Sequence, residues 1–393
     1  MIKIALIVDA IGSYGNGLLR GISRFAHTHP RWTVEYEPWM ENEALPRWLV
    51  RDKFQGVLCR IRNPSQFASL QQLHVPIVDL GSLDPPKGIA NIHSDHGAIA
   101  QLAADHLIKC GLQTFAYCGF EAQQASEKRR IAFQRYLSEH GFDGLTFIGK
   151  SRRGTGSRRS PGWRSSLDYA SLLPWLKKIP KPIGIMACND ICGRLVLAGC
   201  QHAGIHVPEE IVLVGVDNDE VLCELATPTM SSIDPAAERI GFEAAELLDT
   251  IIGGAKPPEQ SYLVSPAGVI TRTSTDIIAV AEPVVAKALR YIREYPGNGI
   301  TVDQVLDYLA RDNMLVSRCT LERRFVVVVG FSPYQEINRV RLNRIKRLLR
   351  NTQYPLKRIA EITGFKAESH LNRFFKRYQG QTPGSFRLPP PTS

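Results

Sequence analysis

The chain has 393 residues, enough for two or three domains with separate cores. Lys and Arg number 48 against 38 Asp and Glu, and the stretch from Asp276 onward, with 20 basic and 10 acidic residues, accounts for the whole excess. Basic residues confined to one segment predict a module that binds phosphates. We find no signal peptide and no apolar run near the ~20 residues that a membrane span needs, so we expect a cytoplasmic protein with no membrane contact.

Residues up to 217 alternate between predicted strands and helices. Apolar strands are predicted at IKIALIV, WTVEYEPW, GVLCRI, PIVDLG, FAYCGF, LTFIG, IGIMAC and IVLVGVD, with amphipathic helices between most of them. Residues 12–17 contain three glycines and predict a loop before the helix LLRGISRFAHTH. This alternation indicates βαβ units in doubly wound parallel sheets. Because ~10 strands would overfill one sheet, we expect two α/β lobes.

The cysteines show no paired CxxC spacing and no histidines nearby. They number eight, and Cys188, Cys192 and Cys200 flank a predicted apolar strand and helix. Buried reduced thiols fit this pattern better than metal ligands. We therefore predict no metal, no cofactor and no catalytic residues. The arginine-rich run 151–164 suits a solvated surface loop, with a non-specific phosphate contact as the alternative.

The last hundred residues contain one pattern twice, fifty positions apart. LDYLARDNMLVSRCTLERRF (306–325) and LKRIAEITGFKAESHLNRFF (356–375) place Leu309 on Ile359, Leu315 on Phe365, Leu321 on Leu371 and Phe325 on Phe375. Each copy predicts a short helix, a turn, and a second helix that begins near Ser317 or Glu368. The small residues Ala310 and Ala360 fall where the two helices of a helix-turn-helix approach closely.

The outer face of each second helix is polar, and in a helix-turn-helix this face meets base edges in the major groove. Predicted DNA contacts are Arg318, Cys319, Glu322 and Arg323 in the first copy, and Ser369, His370, Asn372, Arg373 and Lys376 in the second. Arg323 and Arg373 suit guanine, and Asn372 suits adenine. Four valines (326–329) follow the first copy, and because exposed valines promote aggregation we expect them to pack against the protein.

Residues 286–387 resemble the DNA-binding domain of the AraC/XylS family of transcription regulators, above all in the run IAEITGFKAESHLNRFFKRYQGQTPGSFR. The match implies an all-α domain with two helix-turn-helix units that binds double-stranded DNA. The four valines depart from the family, which usually has a charged run there. Helix caps are predicted at Thr301 with Gln304 and at Ser332 with Gln335.

The segments LLRGISRFA, HSDHGAIAQLAADHLIKCGLQTFAYCG and MACNDICGRLVLAGCQHAGIHVPEEIVLVGVDN resemble the effector domain of LacI/GalR-type repressors. The resemblance implies a periplasmic-binding-protein fold in which two lobes close on a sugar, such as a pentose, or on another small ligand. It also implies a homodimer, with the N-terminal lobe as its interface. We therefore predict an effector domain (1–273), a linker (274–285) and an AraC-type DNA-binding domain (286–393).

The ligand of such a fold binds at the carboxyl ends of the strands. Five residues there suit paired sugar hydroxyls: Tyr14, Asn189, Asp190, Asp217 and Asn218. The resemblance adds Arg129, which matches the family arginine that reaches the ligand, and it also implies that role for Asp217. Alternatives remain open. Asn189 and Asp190 are equally suited to capping a helix. Arg129 can be a solvent-facing helix residue, with Lys128 or Arg130 as the ligand contact, and Tyr14 can be a core residue.

Together these features predict a ligand-responsive transcription regulator that activates sugar catabolic genes, with RNA polymerase as a further candidate partner. One rival is a sugar-acting enzyme with Cys118 or Cys188 as nucleophile. A second is an architectural DNA-binding protein that needs no effector. Turnover of a sugar would favour the first rival, and DNA binding that no small molecule alters would favour the second.

Overall fold

The structure is a computed structural model that describes residues 1–9, 12–39, 45–61, 63–81, 84–121, 123–149, 169–276, 282–294 and 299–387. The chain divides into two compact units, Met1–Ile277 and Ile278–Ser393. The arginine-rich run 151–164 lies outside the described residues. Within the described ranges, no helix is both long and apolar enough to cross a membrane.

The first unit is an α/β structure whose described residues form twelve strands and nine helices. The strands are β1 (Ile2–Ile7), β2 (Trp32–Tyr36), β3 (Gly56–Cys59), β4 (Ile77–Asp79), β5 (Ala90–Ser94), β6 (Phe115–Phe120), β7 (Gly144–Gly149), β8 (Ile183–Ala187), β9 (Ile211–Val216), β10 (Ser231–Asp234), β11 (Tyr262–Val264) and β12 (Gly268–Ile270). The helices are α1 (Gly12–Thr28), α2 (Arg47–Arg51), α3 (Pro64–Gln71), α4 (His96–Lys109), α5 (Gln124–Glu139), α6 (Tyr169–Lys178), α7 (Asp190–Ala203), α8 (Glu220–Leu225) and α9 (Ala237–Ile252).

These strands form two six-stranded sheets, one in each lobe. The N-lobe sheet has the order β11-β5-β4-β3-β1-β2 and is parallel throughout. The C-lobe sheet has the order β12-β10-β9-β8-β6-β7, and β12 is its one antiparallel strand. The prediction of two α/β lobes with doubly wound parallel sheets is confirmed. Helices cover both faces of such sheets, so their strands are buried on both sides.

The chain passes between the lobes three times: after β5, after β10, and between β11 and β12. Adjacent crossings are hydrogen-bonded to one another. The Asp95 amide donates to the Val264 carbonyl at 2.9 Å, and the Ala267 amide donates to the Asp234 carbonyl at 2.9 Å. Three connections held together in this way form a hinge between the sheets, with the strand ends of both lobes facing a common cleft.

Helix α1 begins at Gly12, so the predicted loop at residues 12–17 is wrong. The glycines instead allow α1 to pack closely on α9. A Cβ on Gly21 would lie 1.9 Å from the Glu238 carbonyl oxygen, and a Cβ on Gly241 would lie 2.1 Å from that of Leu18. These glycines serve close backbone approach rather than a turn, so their usual helix-breaking tendency is outweighed by packing.

The second unit is all-α. Its helices are α10 (Pro283–Glu294), α11 (Val302–Arg311), α12 (Arg318–Val329), α13 (Pro333–Asn351), α14 (Leu356–Ile362), α15 (Glu368–Gln379) and α16 (Pro383–Phe386). Both predicted capping boxes are present, with Thr301 and Gln304 at α11 and Ser332 and Gln335 at α13. Helix α12 begins directly after its cap Ser317, and α15 begins at Glu368.

Two small cores hold this unit together, and α13 contributes to both. Leu309, Leu321 and Phe325 belong to the first core, which takes Ile337 from α13. The second core joins the matching residues Ile359, Leu371 and Phe375 to Ile345 and Leu349 of α13. A helix of 19 residues is ~28 Å long, so α13 is a rigid spacer between two helix-turn-helix units.

The two copies are not equivalent in their packing. Ala360 is buried as predicted, but Ala310 is exposed, so the close contact expected at that position is wrong for the first copy. Leu315 is 86% exposed, whereas its counterpart Phe365 packs against the second core. The predicted burial of the valine run is also wrong in part, because Val326 and Val327 are 52% and 80% exposed while Val329 is buried. The four valines form the last turn of α12, and because consecutive side chains of a helix point in different directions, only some of the four can face the core.

Candidate effector cleft and DNA interface

The N-lobe side of the cleft carries an acid, a base and an aromatic ring. Asp9 follows β1, and Arg60 follows β3 with its Nη1 at 3.3 Å from Asp9 Oδ1. The Arg60 guanidinium lies 4.7 Å from the ring centroid of Tyr14, and Ser94 Oγ donates to the Tyr14 hydroxyl at 3.2 Å. Tyr14 also packs against the N-lobe core, so its ring has a core role while its hydroxyl takes part in the polar cluster.

The C-lobe side is centred on Arg129 and Asp217. Arg129 lies on α5 but is only 5% exposed, because its side chain runs inward. Its Nη1 donates to the Cys188 carbonyl, its Nε donates to His96 Nδ1 at 3.3 Å, and its Nη2 lies 3.9 Å from Asp217 Oδ1. A buried guanidinium aimed at the strand ends can present a fork of donors to a ligand.

The neighbours of Arg129 on α5 point elsewhere. Arg130 pairs with Glu127 on the helix surface, and Lys128 pairs with Asp84 at 2.9 Å. The alternative in which Arg129 faces solvent is therefore wrong. Lys128 borders a cavity of about 310 Å³ together with His93 and His96.

Asp217 and Asn218 are held in unusual backbone conformations. Their φ angles are +111° and +45°, which non-glycine residues rarely adopt. The Asp217 amide donates to Ile233, and the Asn218 amide donates to Ser232 Oγ at 3.0 Å. Two consecutive strained residues at the end of a buried strand are typical of a binding site, because the surrounding structure must stabilise them.

Asn189 and Asp190 take different roles from one another. Asn189 caps α7, with Oδ1 accepting from the Cys192 amide at 2.9 Å. Asp190 is 1% exposed and accepts from Ser232 Oγ at 2.6 Å and from the Asp219 amide at 2.7 Å. Burial, and then the charge of Asp217, raises the pKa of Asp190 to about 8. Asp190 thus lies beneath the strained turn and supports it from inside the lobe.

Sequence reasoning missed two members of the cleft, Arg60 and His96. Arg60 directly follows the strand GVLC, so the rule that found Asp217 would also have found it. His96 begins α4 and stacks on His93 with ring centroids 5.2 Å apart. Burial, and then Arg129, holds the pKa of His96 well below its usual range. No sequence signal marks His96, since its role follows from where the chain crosses between lobes.

The two sides of the cleft are in contact at its base. Ser13 Oγ donates to the Asp217 carbonyl at 3.3 Å, and the Ser13 amide donates to Asp219 Oδ2 at 3.3 Å. Beside these bonds lies a cavity of about 530 Å³ bordered by Ser13, Asp217, Asn218 and Arg20. Its volume falls in the range of small-molecule sites, about 300–1,000 Å³. Of the six predicted ligand residues, however, Asp217 and Asn218 border this cavity, whereas Tyr14, Arg129, Asn189 and Asp190 do not.

The cysteines form no disulfide among the described residues. Seven are buried and Cys319 is exposed. Burial raises the pKa of Cys188 and of Cys192 well above the usual range. Within the described ranges, no three His, Cys, Asp or Glu side chains are arranged to hold a metal ion. Thiols kept protonated in this way are poor nucleophiles.

The DNA-binding unit presents α12 and α15 with the same alternation of exposure. Leu321 and Leu371 are both fully buried, as are Phe325 and Phe375, and each helix ends at a glycine with positive φ, Gly330 or Gly380. Most of the predicted DNA contacts are exposed, namely Arg318, Cys319, Arg323, Ser369, His370, Arg373 and Lys376, while Glu322 and Asn372 are half-buried. Repetition of the same face fifty positions apart indicates two helices built for equivalent contacts.

The electrostatic character of the two helices differs. In α12, Arg318 Nε lies 3.1 Å from Glu322 Oε1, and its Nη1 lies 3.3 Å from Asp303 Oδ1. In α15, Arg373 and Lys376 form no ion pair with any described residue. Lys376 and Arg377 align with the exposed Val326 and Val327 of α12. The second unit therefore offers more unpaired cationic charge to phosphates.

A two-lobed domain with a polar cleft at a hinge, followed by two matched helix-turn-helix units in a basic segment, defines a ligand-responsive DNA-binding regulator. Comparison with known proteins gives the same assignment. The Periplasmic binding protein-like domain family matches residues 104–275, and the Helix-turn-helix domain family matches residues 312–388. The chain accordingly combines a periplasmic binding protein-like domain with an AraC-type helix-turn-helix domain, the domain combination of a transcription regulator.

Relatives with this domain order match over almost the whole chain. The xylose operon regulatory protein of Haemophilus influenzae is 29% identical over 98% of this chain and 98% of its own length. That of Escherichia coli strain K12 is 28% identical over 98% of this chain and 96% of its own. The solved structure of the xylose-binding transcription activator XylR is 27% identical with a TM-score of 0.78, covering 98% of this chain and 97% of that one.

Proposed function

We propose that the chain senses a pentose, with D-xylose as the first candidate, and activates genes of sugar catabolism. The observation that carries the proposal is the polar cluster at the hinge. Arg129 lies 3.9 Å from the Asp217 carboxylate within one lobe, and the Asp217 carbonyl accepts a hydrogen bond from Ser13 of the other lobe. Adjacent carboxylate and guanidinium groups suit the paired hydroxyls of a sugar. Full-length relatives named for xylose regulation support this choice of sugar.

The sugar would contact both lobes. Asp217, Arg129, Asn218 and the amide nitrogen of Asn189 would bind hydroxyl groups, and Tyr14 would present its hydroxyl and one ring edge. Asp190 would act by holding the Asp217 turn. We infer binding without turnover, because burial raises the pKa of the Cys188 thiol well above its usual range and no histidine stands at a defined spacing from Cys118 or Cys188 in the sequence.

Ligand binding would shift the closure of the lobes and, through it, the populations of DNA-binding states. The two helix-turn-helix units would read successive major grooves about 34 Å apart. A homodimer formed by the N-terminal lobes would read two such sites, and promoter-bound copies would contact RNA polymerase. We place this activity in the cytoplasm, and retain residues 1–273, 274–285 and 286–393 as the effector domain, linker and DNA-binding domain.

Thermal unfolding with a panel of pentoses and hexoses tests the proposal. A ligand at 100 times its dissociation constant stabilises the folded state by about 2.7 kcal/mol, which raises Tm by several degrees. We expect this rise with D-xylose and its loss in Asp217→Ala. Asp105→Ala, near the C-terminal end of α4, controls for general effects of losing a carboxylate, because Asp105 accepts from the Tyr136 hydroxyl and has no place in the proposed site. A Tm that no pentose changes would contradict the proposed sugar.

A further inference from the structure

The two DNA-binding helices differ in chemistry at one position of their outer face. Glu322 of α12 aligns with Asn372 of α15, and both are half-buried. Each lies between a fully buried leucine and an exposed arginine, Leu321 and Arg323 in one helix and Leu371 and Arg373 in the other. Because burial repeats residue by residue, Glu322 and Asn372 occupy equivalent positions on the two helices.

The Glu322 carboxylate is held in place on the protein surface. Arg318, one turn earlier in α12, donates from Nε to Glu322 Oε1 at 3.1 Å, and Asp303 of α11 holds the other end of Arg318 through Nη1 at 3.3 Å. The Glu322 side chain nevertheless remains 44% exposed. A carboxylate has about four acceptor positions, so one contact with Arg318 leaves acceptor capacity for a partner in the groove. In the second unit the position of Arg318 is taken by Glu368, and no such pair is formed with Asn372.

A carboxylate and an amide select different bases in the major groove. A carboxylate only accepts, so it favours the N4 amino group of cytosine and is repelled by the acceptors of guanine and thymine. Adenine offers an N6 donor beside the N7 acceptor, which suits the paired donor and acceptor of an amide. Glu322 of the first unit therefore favours cytosine, and Asn372 at the matching position of the second unit favours adenine.

We infer that Glu322 is a specificity-determining residue, and that it makes the first helix-turn-helix unit read cytosine where Asn372 makes the second read adenine. The two halves of the DNA site of one chain are then unequal, and the chain binds in a single orientation. This inference rests on the proposed function, since it requires sequence-specific binding by both units.

Selection of binding sites from a random double-stranded DNA library, with the full-length chain with and without D-xylose, tests the inference. We expect the wild type to enrich a site with two half-sites. Glu322→Gln should lower the preference for cytosine at one position of one half-site by about 5- to 150-fold and shift it toward adenine, with other positions unchanged. Asn372→Glu should make the reverse change in the other half-site.

The matched control is Glu361→Gln on α14, where an exposed glutamate pairs with Arg358 at 3.2 Å. It makes the same change in net charge, so both glutamine variants should bind all DNA somewhat more tightly. If Glu322→Gln and Glu361→Gln enrich the same site as the wild type, Glu322 reads no base and the inference fails while DNA recognition stands. If the wild type itself enriches no site, sequence-specific binding fails as well. Circular dichroism melts of each variant establish that it is folded.

Discussion

Replacing Arg129 by Met should weaken both the fold and the binding of a sugar. The change keeps an unbranched side chain of similar length but removes the guanidinium that contacts Cys188, His96 and Asp217. At 3.9 Å and an effective dielectric of about 20, the attraction between Arg129 and Asp217 is ~4 kcal/mol. Removing one member of a buried pair typically costs about 3–5 kcal/mol, because the remaining charge is left uncompensated. Here the remaining charge also lies close to Asp190.

Two assays measure these effects separately. Urea unfolding should show the loss of about 3–5 kcal/mol, equivalent to roughly 6–20 °C in Tm for a unit of this size. Calorimetric titration with D-xylose below the lowered Tm should show binding weakened by roughly 10- to 150-fold, the loss of one charged hydrogen bond of about 1.5–3 kcal/mol.

Arg130→Met is the matched control. Arg130 is the next residue of α5 and pairs with Glu127 on the surface, so its loss should cost no more than about 1 kcal/mol and leave sugar binding unchanged. Arg129→Lys keeps the positive charge but lacks the planar set of guanidinium donors. It should therefore recover part of the lost folding stability but a smaller part of the sugar affinity. If Arg129→Met and Arg130→Met have the same free energy of unfolding and the same sugar affinity, the Arg129 guanidinium does not stabilise the cleft.

Three further predictions concern DNA binding and pH. Arg373→Ala should cost about 1–3 kcal/mol of binding free energy and relax one base position, whereas equal loss on every DNA sequence would assign Arg373 to a phosphate. The double change Val326→Lys and Val327→Arg copies Lys376 and Arg377 into the first unit. It should steepen the slope of log affinity against log salt concentration by up to ~0.9 per new phosphate contact. An unchanged slope would show that this end of α12 lies away from the DNA. Burial raises the pKa of Asp190 from 3.8 to about 8, so in the folded state this carboxyl stays protonated up to a higher pH than in the unfolded chain. The contribution of Asp190 to folding stability therefore falls as pH rises from ~4 to ~8. Asp190→Asn should flatten that decline in urea unfolding at pH 5, 6.5 and 8, and an identical slope in both proteins would refute the raised pKa.

The sequence predicts the repeat of the DNA-binding unit well because its signals are local. Leu321 and Phe325 lie four residues apart on one face of α12, and Gly330 ends the helix; both features reappear fifty residues later at Leu371, Phe375 and Gly380. The cap does not reappear, because Ser317 is matched by Ala367, which caps α15 with no side-chain bond. The exposure of Ala310 and Leu315 was not predictable in this way. The first copy has leucine where the second has Phe365, and only the three-dimensional core shows that the smaller residue fails to reach it.

In the effector domain, sequence reasoning missed four short strands, β5, β10, β11 and β12, of which β5 and β10 lack an apolar pattern. β5 reads ANIHS, yet Asn91, His93 and Ser94 are all buried. Asn91 donates to Asp79 and Gly81, and Ser94 donates to the Tyr14 hydroxyl, so partners elsewhere in the lobe satisfy these polar groups. The residues of β5 therefore resemble a loop in composition. The early glycines of α1 were misread for a related reason, since a glycine kept for contact with α9 is indistinguishable in sequence from one kept for a turn.

The segment that leads out of the effector domain is fastened to the strands that carry the ligand turn. Ser274 Oγ donates to the Leu213 carbonyl of β9 at 2.6 Å and accepts from the Ser231 amide of β10 at 2.9 Å. Thr275 contacts His106 of α4 at 2.8 Å. Both residues are buried, so the chain leaves the first unit rigidly attached to the C-lobe, although they fall within the predicted linker 274–285. β9 ends at Val216, directly before Asp217, so a displacement of the C-lobe would move the ligand turn and this exit together. Under the proposed function, coupling between sugar and DNA would then require no separate relay, only that the two lobes move relative to each other about the three crossings.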